Sequence, residues 1–250
     1  MAIYDVAIRG GRVVDGAGNP WFYSDIGVRH GKIARVGSIS ASDADNVIDA
    51  GGLVVCPGFI DLHTHSDVTV LADGDAQSKV RQGVTLDVIG ESNSVGPVVG
   101  PAADEYREEQ RLRSGVDVTW TDFTGYFQQL IRRGTSINIA SSVAPQQIRR
   151  AVVGFDDRAA GPDELQQMNS LVVQAMEQGA VGLSAAWHSG GPEYVDELIE
   201  MAVVANQHGG YYGTHVGSEG FDIGTELDKT FQIARASGIP VHIYHLKIRG

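Results

Sequence analysis

The 250-residue chain has one cysteine, Cys56, so no internal disulfide is available and no cysteine cluster exists to hold a structural zinc ion. Cys56 stands in the apolar stretch GGLVVCPG, which predicts a small buried core residue. Nowhere does an apolar run reach the roughly 18 residues that a membrane helix needs. The opening MAIYDVAIRGG has neither the basic leader nor the long apolar core of a secretory signal, so a cytoplasmic protein is expected. Positive charge is scarce as well. Nineteen Lys and Arg against 31 Asp and Glu leave a net charge of −12, which argues against nucleic acid or anionic lipid as a partner. The basic clusters IRR, IRRAVV and KIRG are short and read as solvated helix or strand ends.

Two patterns divide what is present. Residues 1–56 are short runs rich in Val and Ile separated by Gly-rich turns, a small all-β module whose solitary His30 reads as a turn residue. From residue 57 strand-like and helix-like runs alternate. In ELQQMNSLVVQAMEQG, residues Leu165, Met168, Leu171, Val172, Ala175 and Met176 recur at helical spacing. Gly83, Gly134, Gly179, Gly209 and Gly238 each follow a helical run and precede a strand, as helix stops in a left-handed conformation do. Such junctions imply βα units and a parallel sheet, with strands near 58–65, 84–91, 136–143, 180–186, 210–216 and 239–247. Six strands fit an open α/β sheet or an incomplete (β/α)8 TIM barrel; the second is favoured, with two further units expected beyond Gly250.

In such barrels function gathers where strands end. GFIDLHTHSD puts His63 and His65 at the end of the first strand, where alternation would aim both imidazoles to one side. A bare HxH is more often a structural pair. Here Asp67 follows, and His215 and His245 close the fifth and sixth strands. Four imidazoles from three strand ends suit a zinc-like metal centre. A centre with two ions needs an anionic bridge. No lysine lies in the third or fourth strand to form a carbamate, whereas the second strand offers Glu91 in LDVIGESNSVGP. The competing reading of Glu91 is a helix cap or loop-lining carboxylate.

The ordered motifs PGFIDLHTHSD, GTHVGSEG and IYHLKIRG resemble the metal motifs of the amidohydrolase superfamily, and INIASSVAPQQIRRAVVGFDDRAAGPDELQQMNSLVVQAMEQGAVGLSAA is similar to its D-aminoacylase branch, the N-acyl-D-amino-acid deacylases. The resemblance spans nearly all of the chain. It implies a small β-sandwich, to which residues 1–56 belong, and a metal-dependent hydrolase barrel, of which residues 57–250 are the N-terminal part. It maps metal ligands onto His63, His65, His215 and His245, and a residue that holds the substrate carboxylate onto Lys247, otherwise a solvated strand end. Zinc, as one or two divalent ions, and a small N-acyl amino acid or related amide are the implied cofactor and substrate. A cyclic amidase of the dihydroorotase or hydantoinase kind and a non-catalytic scaffold are the alternatives.

Three positions depart from the family pattern. Many members bridge the metal with a cysteine in GNCG; GESN stands here, with Ser92 on the cysteine. Serine is a poor zinc ligand, so the role is moved to Glu91, which requires a bulge or kink. Gly217 replaces a long polar residue. Trp187 and His188, in AAWHSGGPEY, replace a commoner apolar loop. The family's catalytic aspartate is expected beyond Gly250; neither Asp61 nor Asp67 is its equivalent. Residues 1–250 alone are therefore expected to be poorly stable and inactive.

Overall fold

The computed structural model describes residues 2–186 and 192–248, which leaves Trp187 and His188 outside the described residues. The chain forms two compact units, Met1–Gly58 and Phe59–Gly250.

The first unit holds β1 (Tyr4–Val13), β2 (Phe22–Arg29), β3 (Lys32–Gly37), a single 3-10 turn (Ala41–Asp43), β4 (Ala44–Asp49) and β5 (Val54–Val55). They make one sheet in the order β3-β2-β1-β4, with β5 also on β1. β1–β2 and β2–β3 are antiparallel, the second pair across a two-residue turn, and β4 and β5 join β1 in parallel. His30 takes the turn between β2 and β3 with φ 51°. The Asp25 carboxylate accepts from Gly10 N at 2.8 Å and Ile39 N at 2.9 Å, and these backbone donors hold its pKa below the usual value. Among the described residues this unit has one sheet, not the two layers of a sandwich. Cys56 is exposed, contrary to the sequence reading, because the apolar run ends as a two-residue strand paired only with β1.

The second unit is mixed α/β. Its strands are β6 (Phe59–Asp61), β7 (Val84–Ile89), β8 (Asn138–Val143), β9 (Ala180–Ala185), β10 (Tyr211–Thr214) and β11 (Val241–Ile243). All neighbours are parallel and lie in chain order. The crossovers carry α1 (Thr69–Ala72) and α2 (Gln77–Val80), then α3 (Ala103–Ser114) and α4 (Phe123–Arg133), then α5 (Pro145–Val152) and α6 (Pro162–Glu177), then α7 (Pro192–Gln207), and finally α8 (Ile223–Ser237). Their starts follow local chemistry. Asp122 accepts from Gly125 N to cap α4, and α6 begins with Pro162 while the Glu164 carboxylate reaches back to Gly161 N. The five junction glycines all have positive φ, although Gly134, with ψ 151°, is extended rather than helical.

The apolar face of α6 behaves as its spacing predicts. Met168, Val172 and Ala175 are buried in one cluster with Leu183 of β9, Leu198 and Met201 of α7, Tyr212 of β10 and Ile233 of α8. Arg149 of the IRRAVV cluster is not solvated. Its Nε meets the buried Glu197 carboxylate at 3.0 Å, and Glu197 also accepts from Ala160 N. The sheet curls: Tyr244, one residue past the last strand, stacks on His63, two residues past the first, at 4.4 Å between ring centroids. Among the described residues no helix is long and apolar enough to cross a membrane.

Leu198 is fully buried, so Leu198→Ala is expected to cost about 2–5 kcal/mol, read as a lower denaturant midpoint at unchanged slope.

Candidate metal centre

His63 and His65 do not stand on a strand. The Asp61 side chain accepts from His63 N at 3.2 Å, a local turn that ends β6 before either histidine. The reading of 58–65 as one strand is therefore corrected, and the two imidazoles share a side because of the loop. Lys79 of α2 fixes that loop, with its Nζ 2.5 Å from Asp61 Oδ2, 3.1 Å from Thr64 Oγ1 and 3.5 Å from Asp87 Oδ1. Burial raises the Asp61 pKa, but the Lys79 hydrogen bond and His63 N outweigh it and the net shift is downward. At Asp87, which is wholly buried on β7, burial prevails over Lys79 and the carboxyl is raised.

Glu91 reaches the centre through a kink. β7 ends at Ile89, earlier than expected, and Gly90 follows with φ 96°. A Cβ on Gly90 would lie 2.0 Å from Ser142 O, so both the conformation and the close approach require glycine. Gly90 N donates to Asp67 Oδ1 at 2.7 Å, tying the first-strand loop to the second. Burial pushes the Asp67 carboxyl up to about 7. Ser92 has φ 64° and Asn93 N donates back to Glu91 O, a tight three-residue turn that rotates Glu91 inward. Ser92 Oγ donates to Glu91 Oε1 at 2.6 Å.

The carboxylate of Glu91 is 4% exposed and faces three imidazoles. Its Oε2 lies 3.3 Å from His65 Nε2 and 3.7 Å from His63 Nε2, and its Oε1 3.0 Å from His215 Nε2. His215 follows β10 directly and is held by its backbone N–H to Ala185 O. His245 follows β11 with φ 31°, its ring 4.4 Å from that of His215 and 5.3 Å from that of His63. Within each of the sets His63, His65, Glu91 and His63, His215, His245, one donor atom per residue lies within 4.8 Å of the others. All five residues picked from the sequence thus come together.

Burial raises the Glu91 pKa, yet the hydrogen bonds from His215 and Ser92 and the charge of the imidazoles prevail and hold it down to about 2. His63 is shifted downward, chiefly by burial, with the other histidines adding to it and Glu91 opposing. The residues present fit a divalent cation. His63 Nε2 is buried without a hydrogen-bond partner, and the set of imidazole nitrogens and one carboxylate is that of zinc-like metals.

Two residues escaped the sequence reading. Glu219 contacts His245 Nδ1 at 3.1 Å and receives the Lys247 ammonium, which also lies 3.0 Å from that nitrogen. Tyr244 stacks on His63. Both lie inside the motifs GTHVGSEG and IYHLKIRG, but nothing in their spacing says which way they point.

Gly90→Ala is expected to lower metal content and thermal midpoint together, because Ser142 O cannot yield without disturbing β8. A second expectation concerns the metal-free protein. The native Glu91 pKa, about 2, lies below its ordinary 4.5, so it contributes stability that is present above pH 4.5 and lost as pH falls toward 2. Glu91→Gln should flatten that limb of the acid-unfolding curve; an unchanged limb would place the carboxylate elsewhere.

Comparison with known proteins places the whole chain among relatives. The pattern of the "Amidohydrolase family" matches residues 46–249. The D-aminoacylase of Alcaligenes xylosoxydans xylosoxydans is 35% identical over 250 residues, which are 99% of this chain and 51% of that protein. A solved D-aminoacylase, described with a binuclear metal centre, superposes with a TM-score of 0.84 at 36% identity over 99% of this chain and 52% of its own. The N-acyl-D-glutamate deacylase of Bordetella bronchiseptica, solved with zinc and a phosphonate mimic of the tetrahedral intermediate, gives 0.85 at 30% identity over 95% of this chain and 50% of its own. The chain spans about half the length of the relatives it matches.

Proposed function

The chain belongs to the amidohydrolase family, and from that premise we propose that its protein is a metal-dependent hydrolase that removes the acyl group from an N-acyl-D-amino acid or a related amide. The observation that carries this reading is Glu91, enclosed by imidazoles that arrive from separate strand ends. Its place between them also counts against a lysine-bridged cyclic amidase.

His63, His65, Glu91, His215 and His245 would hold one or two divalent ions, with zinc as the metal we favour. A bound ion there supplies Lewis-acid polarisation of the scissile carbonyl and lowers the pKa of water to about 7. The chain's own residues do the rest. Asp61, Lys79 and Thr64 fix the loop that carries His63 and His65. Lys247 offers a point charge to the substrate carboxylate, and Glu219 keeps its ammonium beside His245. The proton donor for the departing amine is an aspartate outside residues 1–250. In support, Asp61 is engaged by Lys79, Asp67 is turned to Gly90 N, and Asp87 is buried beside Lys79. We read residues 57–250 as the first part of a (β/α)8 barrel and residues 1–56 as part of a β-sandwich; the sequential parallel order of β6 to β11 supports the barrel.

In the full-length enzyme, chelation should abolish hydrolysis of N-acyl-D-amino acids and zinc should restore it, with the L-enantiomers poor substrates throughout. Glu91→Ala should lower metal content and turnover together, the latter by at least about 10³-fold. Ser92→Ala, which removes only a hydrogen bond to the bridging carboxylate, should cost at most about 10–100-fold. If the serine change were the more damaging, the bridge would be Ser92.

A further inference from the structure

Tyr244 has no place in the chemistry above, yet it is among the most constrained side chains at the centre. It is 3% exposed and its ring lies almost parallel to that of His63, 12° between planes and 4.4 Å between centroids. Offset face-to-face contact of this kind is favourable beyond simple burial. The other three histidines do not stack on His63; His65 and His215 meet it edge-on and His245 is tilted by 40°. Tyr244 is thus the flat surface against which the His63 ring lies.

The ring is itself tethered. Tyr244 OH is 2.9 Å from Ser184 Oγ of β9, and the ring neighbours Tyr211 of β10, whose own hydroxyl is 3.0 Å from Ser142 Oγ of β8. Ser142 and Ser184 are buried inside the curled sheet. Two hydroxyl pairs, Ser142 with Tyr211 and Ser184 with Tyr244, therefore lie side by side across β8, β9, β10 and the β11 end. Gly213 of β10 leaves the space for Tyr244, since a Cβ there would lie 2.1 Å from Tyr244 OH. His63 has the greater need of such support. It belongs to both candidate ligand sets, its Nε2 has no hydrogen-bond partner, and its backbone sits on a loop rather than a strand.

We propose that Tyr244 is a positioning residue that sets the plane of His63 for metal binding, and that the Ser184 hydroxyl sets Tyr244. The inference rests on the metal-centre reading and adds to it a determinant of metal affinity that is not a ligand. Partners that orient a ligand commonly govern affinity by about 10–100-fold.

The test uses the full-length protein, stripped of metal and titrated with Co(II). Visible absorption reports ligand geometry, and competition with a chromophoric chelator reports affinity; circular dichroism of the metal-free forms records folding. Tyr244→Leu should shift the cobalt bands and weaken binding about 10–100-fold while the metal-free protein stays folded. Tyr244→Phe, which keeps the ring and loses the tether, should fall between Tyr244→Leu and the wild type. A Tyr244→Leu variant with wild-type bands and affinity would overturn the proposal. If that variant does not fold, Tyr244→Phe decides: shifted bands support the proposal, and wild-type bands with wild-type affinity overturn it. A wild type that binds no cobalt would instead overturn the metal-centre reading, and this inference with it.

Discussion

A carboxylate 4% exposed to solvent is the constraint on which the second unit turns. An ionised group in that position is costly unless it is paired and hydrogen-bonded. Glu91 meets part of the requirement with the imidazoles of His65 and His215 and the hydroxyl of Ser92, while His63 stays at 3.7 Å. The imidazoles come from the ends of β6 and β10, on either side of β7 in the sheet, so they reach one carboxylate only if the sheet curls. The site and the curvature are one arrangement seen at two scales.

Backbone conformation at the strand ends is where this arrangement is stored. Gly90 at φ 96°, Ser92 at φ 64° and His245 at φ 31° all lie in the left-handed half of conformational space, and two of them are not glycine. Such residues persist where the surroundings over-determine them. The surroundings here are specific. Asp67 receives Gly90 N, Asn93 N closes on Glu91 O, and Tyr244 beside His245 is anchored by Ser184. The turn through Gly90 and Ser92 carries Glu91 to the imidazoles.

That is also why some of the molecule was legible in the sequence and some was not. The α6 stripe of Met168, Val172 and Ala175 and the junction glycines follow from periodicity and from the cost of positive φ, both local properties. The five residues at the centre were legible as residue types at strand ends. Their geometry was not. HxH suggested strand alternation, whereas an Asp61 turn ends the strand first. Cys56 looked like core because its neighbours are apolar, but a two-residue strand with one partner leaves it exposed. Arg149 looked solvated because its partner Glu197 lies 48 residues away, on a helix that sequence spacing cannot place beside it. Glu219 and Tyr244 were invisible for the same reason.

The electrostatics at the centre point one way. Burial pushes His63 toward its neutral form, and the other three histidines push in the same direction. A neutral His63 offers the charged Glu91 no opposite charge. Neutral imidazole has one N–H and one lone pair. A ring that turns its N–H to the carboxylate aims its lone pair away, and a ring that aims its lone pair inward repels the carboxylate oxygens. His63, with Nε2 at 3.7 Å from Glu91 Oε2 and no hydrogen-bond partner, shows that the carboxylate and the histidines cannot all satisfy one another. A divalent cation among them would ease the conflict, because it would accept inward lone pairs and bring positive charge beside Glu91. The buried nitrogen without a hydrogen-bond partner and the buried carboxylate are therefore two parts of one arrangement that a divalent cation would suit.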